Sequence, residues 1–176
     1  MLVLEQALSR YYTEVDMVTT PAGDPVAMVH CNNCTSDIDA WIRLFGEAAT
    51  AFGAEYDERT LYQTMYKKAL EGAPDCGGIM TFNYLSGEPV TNLDEGRPLL
   101  FRKPDASFTL ANVMRAHLTS ACASLRIGMD ILAAEHVELD AMTGHGGFFK
   151  AEGIGQKIMS AALGTPVTVM ETAGEG

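Results

Sequence analysis

The chain has 176 residues, 47% of them hydrophobic and 20% charged, enough to bury most of the surface of one domain and too apolar for a disordered segment. A formal charge of −11 and a sequence pI of about 4.6 argue against nucleic acid or an anionic membrane as partner, because like charges repel in both cases. A small anionic nucleotide stays allowed, since backbone N–H groups and a helix N-terminus hold phosphate without net positive charge.

The opening MLVLEQALSRYY carries no basic leader, long apolar core or small-residue cleavage site, and so reads as a strand and not as a signal peptide. No stretch reaches the roughly 18 uninterrupted apolar residues of a transmembrane helix. A cytoplasmic location is expected, with Cys31, Cys34, Cys76 and Cys122 as free thiols in a reducing compartment.

In chain order, the β-rich stretches Met1–Leu4, Val15–Thr19 and Pro25–Cys31 predict a meander with a turn at Pro21–Asp24. Spacing then becomes helical: Ile38, Trp41, Ile42, Phe45 and Ala48 share a face, Thr35 or Ser36 can cap the first turn, and Asp37 and Asp39 suit its positive end. Asp57 can cap a second helix through Leu70, with Leu61, Tyr62, Met65 and Ala69 inward and Gly72 and Pro74 ending it. A short strand is expected near Ile79–Leu85. From Ser86 to Asp105, glycines and prolines bracket the apolar run Leu99–Phe101, which predicts a long, partly ordered loop.

The longest helix is expected from Leu110 to His136, on the recurrence of Leu110, Val113, Met114, Leu118, Ala121, Leu125, Met129 and Leu132, with Gly128 as a tolerated weak point. Strand Leu139–Thr143, the pair Gly146–Gly147, a helix from Gly153 to Leu163 and strand Pro166–Glu171 follow, an α/β arrangement with a crossover if the strands are parallel. A strand with no lead-in at Met1 and a glycine-rich ETAGEG after the last strand lead us to expect truncation at both ends.

The segment Leu139–Gly176 carries the sharpest chemical hint. A strand delivers the chain to two glycines, whose missing side chains let a flat or charged group approach the backbone just before a helix begins. A plain turn explains the same pair, and the ligand reading requires the bend to open into a groove.

The pattern of Gly146, Gly147, Gln156 and Leu163–Val167 resembles the adenosine-binding segment of FGGY carbohydrate kinases. Tyr84–Phe101, with its Gly-Glu, resembles a second signature of that family, and CTSDIDAWIRLF is similar to its tryptophan-bearing helix beside the nucleotide. The wording DMVTTPAGDPVAMVHCNNCTSD and TGHGGFFK looks closest to xylulokinase-like members.

The resemblance implies an α/β, actin-like ATPase (ribonuclease H-like) lobe with a mixed sheet flanked by helices, residues 1–176 forming part of the C-terminal ATP-binding domain. It implies phosphorylation of a ketopentose by ATP and Mg2+, with the sugar and the catalytic aspartate in a lobe absent from this sequence, so that the fragment alone is inactive. Gly146, Gly147, Phe148, Lys150, Ala151, Gln156 and Ser36 are the residues it places at the nucleotide. Phe148 and Phe149 could stack on a purine or pack the core, and Lys150 could meet a phosphate. Ala151 departs from the asparagine that related glycerol kinases carry there.

Cys31-Asn32-Asn33-Cys34 offers a rival function, because a helix N-terminus lowers a thiol pKa and favours disulfide exchange. One CxxC without a second pair or a spaced histidine pair makes a poor zinc site. Glu88, Asp94 and Arg97 could form an ion-paired loop, and His145 could be a turn residue or a phosphate partner. A non-catalytic module, dimeric through surfaces left by truncation, stays open as a third reading.

Overall fold

The structure is a computed structural model and describes residues 1–149, 151 and 153–169. The meander forms as expected: β1 (Leu2–Val3) and β2 (Asp16–Thr19) both pair antiparallel with β3 (Pro25–Met28), which lies between them. Val26 and Ala27 of the middle strand are buried, whereas β2 is exposed along its length. The strand stops before Cys31 because the next residues bond to a loop instead of to a neighbouring strand.

Helix α1 (Ser36–Ala51) encloses Ile38 and Ile42 completely, with Trp41 and Phe45 half-buried beside them. Burying such a side chain is worth roughly 1.5–3 kcal/mol. Gly46 continues this face, and Ala48, expected inside, is exposed. At 100° per residue position 48 turns away from the 38–42–45 stripe. Asp57 caps α2 (Glu58–Ala69), its side chain accepting from the Thr60 N–H at 2.9 Å. Leu61, Met65, Tyr66 and Ala69 are the buried residues of α2.

A 3-10 turn at Cys76–Gly78 leads into β4 (Ile79–Phe82), which pairs antiparallel with β5 (Leu99–Arg102). The apolar run 99–101 is therefore a strand, not loop. Pro98 and Pro104 flank it without interrupting the ladder, as proline can beside an edge strand.

Helix α3 (Leu110–Ala134) is the axis of the molecule, capped by Thr109, whose side chain accepts from the Asn112 N–H. Met114, Leu118, Ala121 and Cys122 enter the core with α1 and α2, Val113 and Ala116 meet Cys76 and Ile79, and Leu132 joins Leu4, Val15 and Ala27. Serving three clusters, it buries polar residues as well, among them Asn112, His117, Ser120 and Ser124. At its far end Glu135 accepts from the backbone and hydroxyl of Ser9 and from the Tyr12 hydroxyl, tying the N-terminal segment to the helix.

The last unit is β6 (Met142–Gly144), a 3-10 turn at Gly147–Phe149, α4 (Ile154–Leu163) and β7 (Val167–Val169), with β6 and β7 parallel as a crossover requires. The expected strand beyond Val169 lies outside the described residues. Parallel and antiparallel pairing thus both occur, in three small sheets among the described residues.

Candidate functional site

The glycine turn opens outwards. Among the described residues, a β-carbon built on Gly146 or on Gly147 would meet no atom within 4 Å outside its chain neighbours, and Gly147 is exposed. Gly147 and Ala151 form one wall of a cleft of about 470 Å³. Thr35 and Asp39, from the start of α1, and Arg59, Tyr62, Gln63 and Tyr66, from one face of α2, form the rest. Thr35 and Arg59 bring residues of the first turns of both helices to this wall, where Asp39 adds a carboxylate and Arg59 a cation.

Thr35 occupies the N-cap of α1 but its side chain makes no capping bond. Asp39 and Tyr62 face each other, and burial, followed by the charge of Asp39, holds the Tyr62 phenol above its usual range. Tyr66 packs its ring edge-on against Phe148, with centroids 6.5 Å apart. Burial chiefly, with a contribution from Asp39, raises the Tyr66 phenol, so it stays a neutral donor at the cleft floor. Arg59 is the one cationic side chain lining the cleft among the described residues.

Of the residues expected at the nucleotide, the structure brings Gly147 and Ala151 to the cleft, with Gly146 in the same turn. Phe148 takes the other role open to it: it is 3% exposed and packs with Phe149, Tyr66 and Ile158, so no face of it is free for a purine. Its carbonyl lies 2.4 Å from where a β-carbon of Gly155 would stand, which is why α4 can approach so closely. Ser36 is exposed at the first residue of α1, and the cleft wall passes through Thr35 and Asp39 instead. Gln156 is half-buried on α4, off the cleft wall, and its Oε1 is enclosed with no hydrogen-bond partner among the described residues. Lys150 lies outside the described residues.

Sequence reasoning missed the α2 wall. Arg59, Tyr62, Gln63 and Tyr66 recur at helical intervals and form a polar and aromatic stripe beside the apolar one, a signal available in the sequence.

The CxxC segment is not arranged for thiol chemistry. Burial pushes Cys31 up to about 11 and raises Cys34 as well, opposite to the lowering that a reactive thiolate needs. His30 pairs with Asp16 at 3.0 Å. The expected ion-paired loop is also rearranged: Arg97 bonds Glu95 at 2.7 Å, and Glu88 turns inward to the CxxC segment because Asn33 offers it a donor there. Among the described residues no cluster of three His, Cys, Asp or Glu could hold a metal ion. Nor is any described helix long and apolar enough to cross a membrane.

A parallel strand pair bridged by a helix, a glycine turn at the end of its first strand and an antiparallel meander ahead of them define an actin-like ATPase lobe of the α/β class. The profile of the C-terminal domain of the FGGY family of carbohydrate kinases matches residues 1–176, and the chain belongs to that family.

The same fold occurs in the xylulose kinase of Bifidobacterium adolescentis, at 23% identity and a TM-score of 0.66, covering 90% of this chain and 29% of that one. The xylulose kinase of Rhodospirillum rubrum aligns at 15% identity and a TM-score of 0.65 over 89% of this chain and 30% of its own. A kinase of Brucella ovis, described as a xyloylose kinase, gives 18% and 0.64 over 90% and 30%. The chain thus spans less than a third of the length of these proteins. Among curated proteins none matches it in sequence.

Proposed function

We propose that the cleft between the Gly147 turn, the start of α1 and the Arg59–Tyr66 face of α2 takes the adenosine end of ATP. In this reading residues 1–176 are the ATP-binding part of a cytoplasmic sugar kinase that phosphorylates a ketopentose such as xylulose. The observation that carries it is the space beside Gly147, which no described residue fills and where bare peptide lines the cleft.

Bare peptide at Gly147 lets the flat base or ribose lie close, Tyr62 and Tyr66 offer aromatic surface and hydroxyl donors, and Arg59 supplies the positive charge that a phosphate chain needs. Such a site does its work by positioning, which in well-oriented systems is worth about 7–11 kcal/mol of barrier. Bound Mg2+ would supply neutralisation of charge on the phosphates, and in this reading the aspartate that accepts the hydroxyl proton and the groups that hold the sugar belong to the other lobe. Closure of that part over the cleft would exclude water, and this chain alone would bind nucleotide weakly without turnover.

The test is titration of ADP with the thiols free and then alkylated, followed by calorimetry and by the emission of Trp41, the single tryptophan, which lies on α1. Binding in both states is expected. Loss of binding on alkylation would favour the cysteines as the functional groups, and no binding with an intact fold would overturn the nucleotide reading.

A further inference from the structure

Glu88 belongs to the Gly-Glu of the second family signature, yet neither it nor Asn33 lines the cleft. Both are nonetheless buried as a linked pair of polar side chains, Asn33 3% and Glu88 0% exposed. Asn33 Nδ2 donates to the Gly87 carbonyl at 2.5 Å and reaches Glu88 Oε2 at 3.4 Å, while its Oδ1 accepts from the Ser86 N–H at 3.0 Å. Glu88 Oε1 accepts from the Asn32 N–H at 3.4 Å and its other oxygen faces the Cys31 thiol at 3.8 Å. From beneath, Asn83 Nδ2 donates to the carbonyls of Asn33 and Cys34 at 2.7 and 3.3 Å.

These bonds do what a sheet ladder would do for an extended strand. Residues 31–34 have no regular structure and join β3 to α1, so these bonds, together with the burial of Ile38 and Ile42, set where α1 begins. Thr35, the next residue, and Asp39, one turn on, are the α1 contribution to the cleft. No Lys or Arg forms a salt bridge with Glu88 among the described residues, so the carboxylate rests on neutral donors alone. Burying an acid in such a place is costly, and the hydrogen bonds from its neighbours offset that cost only while the segment holds this geometry.

We propose that Asn33 and Glu88 are positioning residues for nucleotide binding. By pinning the 31–34 segment to the 83–88 loop they set the entry of α1, and with it Thr35 and Asp39, against the Gly147 turn. This rests on the nucleotide reading of the cleft.

The test is made on the intact kinase that contains this chain, with KM for ATP, KM for the sugar, kcat and thermal midpoint measured together. Asn33→Ala is expected to raise the ATP KM at least tenfold with the sugar KM unchanged. Glu88→Gln, which keeps the shape and an acceptor, should retain more ATP affinity than Glu88→Ala. Should Asn33→Ala destabilise the fold, the comparison of Glu88→Gln with Glu88→Ala, each shown folded by circular dichroism, decides alone. Equal losses in the ATP and sugar constants, or a drop in thermal midpoint with the ATP KM unchanged, would overturn the proposal. ADP binding by the wild type that both Asn33→Ala and Glu88→Ala leave unaltered overturns this inference only, whereas a wild type that binds no ADP removes the cleft assignment with it.

Discussion

Trp41 of α1 lies against His117 of α3, the ring centroids 4.8 Å apart and tilted by 39°. The imidazole is 1% exposed, and its Nδ1 is 3.3 Å from Oδ2 of Asp37 without the alignment of a hydrogen bond. Burial lowers His117 to about 4 and raises the Asp37 carboxyl. The unfolded chain, with its histidine near the ordinary value of about 6.5, binds a proton that the folded chain refuses between these two pKa values. Stability is therefore complete above about pH 6.5 and falls as the solution is acidified towards pH 4. Between pH 7 and pH 5 the loss is about 2 kcal/mol from this group, partly offset by Asp37, which takes up its proton more readily when folded. Urea unfolding followed by Trp41 emission should show this slope in the wild type and a flatter one in His117→Phe. Identical slopes would remove the histidine from the account.

The two glycines of the turn separate fold from ligand. Gly146 has φ +99°, a region that alanine enters only with strain of order 1–3 kcal/mol. Gly147 needs no such conformation, and no described residue fills the space beside it. Gly146→Ala should therefore lower the unfolding free energy by about 1–2 kcal/mol. Gly147→Val should leave stability within about 0.5 kcal/mol while filling the cleft and weakening ADP at least tenfold. Calorimetric titration beside thermal unfolding distinguishes the two. Unchanged ADP affinity in Gly147→Val would place the nucleotide elsewhere.

Local signals carried much of this in advance. Asp57 announced α2, the 110–132 periodicity announced α3, and the order of strand, glycine pair, helix and strand announced the parallel unit, because caps and periods act within a few residues. What escaped was set at long range. The pairing of 99–102 with 79–82 depends on a partner 20 residues away, and prolines on both sides masked it. The burial of Phe148 depends on Tyr66 and Ile158, from two other helices. At the cleft, sequence located the glycine wall and overlooked the α2 wall, since an aromatic at helical spacing reads as core until the third dimension shows which side is open.

Gly128 illustrates the same limit, for a helix scale marks it only as a weak point. A β-carbon there would stand 2.2 Å from Cγ2 of Val29, just past the end of β3, so the glycine is what lets α3 lie against the meander. Alanine gains about 1 kcal/mol in helix propensity but forces an overpacked contact that costs about 1–3 kcal/mol. Gly128→Ala is expected to be destabilising by about 1 kcal/mol, and the double variant with Val29→Ala should recover part of that loss by making room. A chemical denaturation cycle over the four proteins gives the coupling. Additive effects would mean that the helix shifts instead of pressing on Val29.

If a nucleotide occupies the cleft, Arg59 decides which of its ends lies where. It stands in the first turn of α2, where the helix dipole already favours an anion, and it is the cation of the cleft wall among the described residues. If it meets the phosphate chain, Arg59→Ala removes a charge-assisted bond worth about 1.5–3 kcal/mol, and ADP affinity falls about tenfold or more while adenosine affinity hardly changes. Arg59→Lys should restore part of the ADP binding, since lysine keeps the charge but not the planar fork. Raised salt should weaken ADP binding in the wild type more than in Arg59→Ala. Equal losses for ADP and adenosine would instead put Arg59 against the base, turning the nucleotide end for end in the cleft and moving its phosphates towards Gly147.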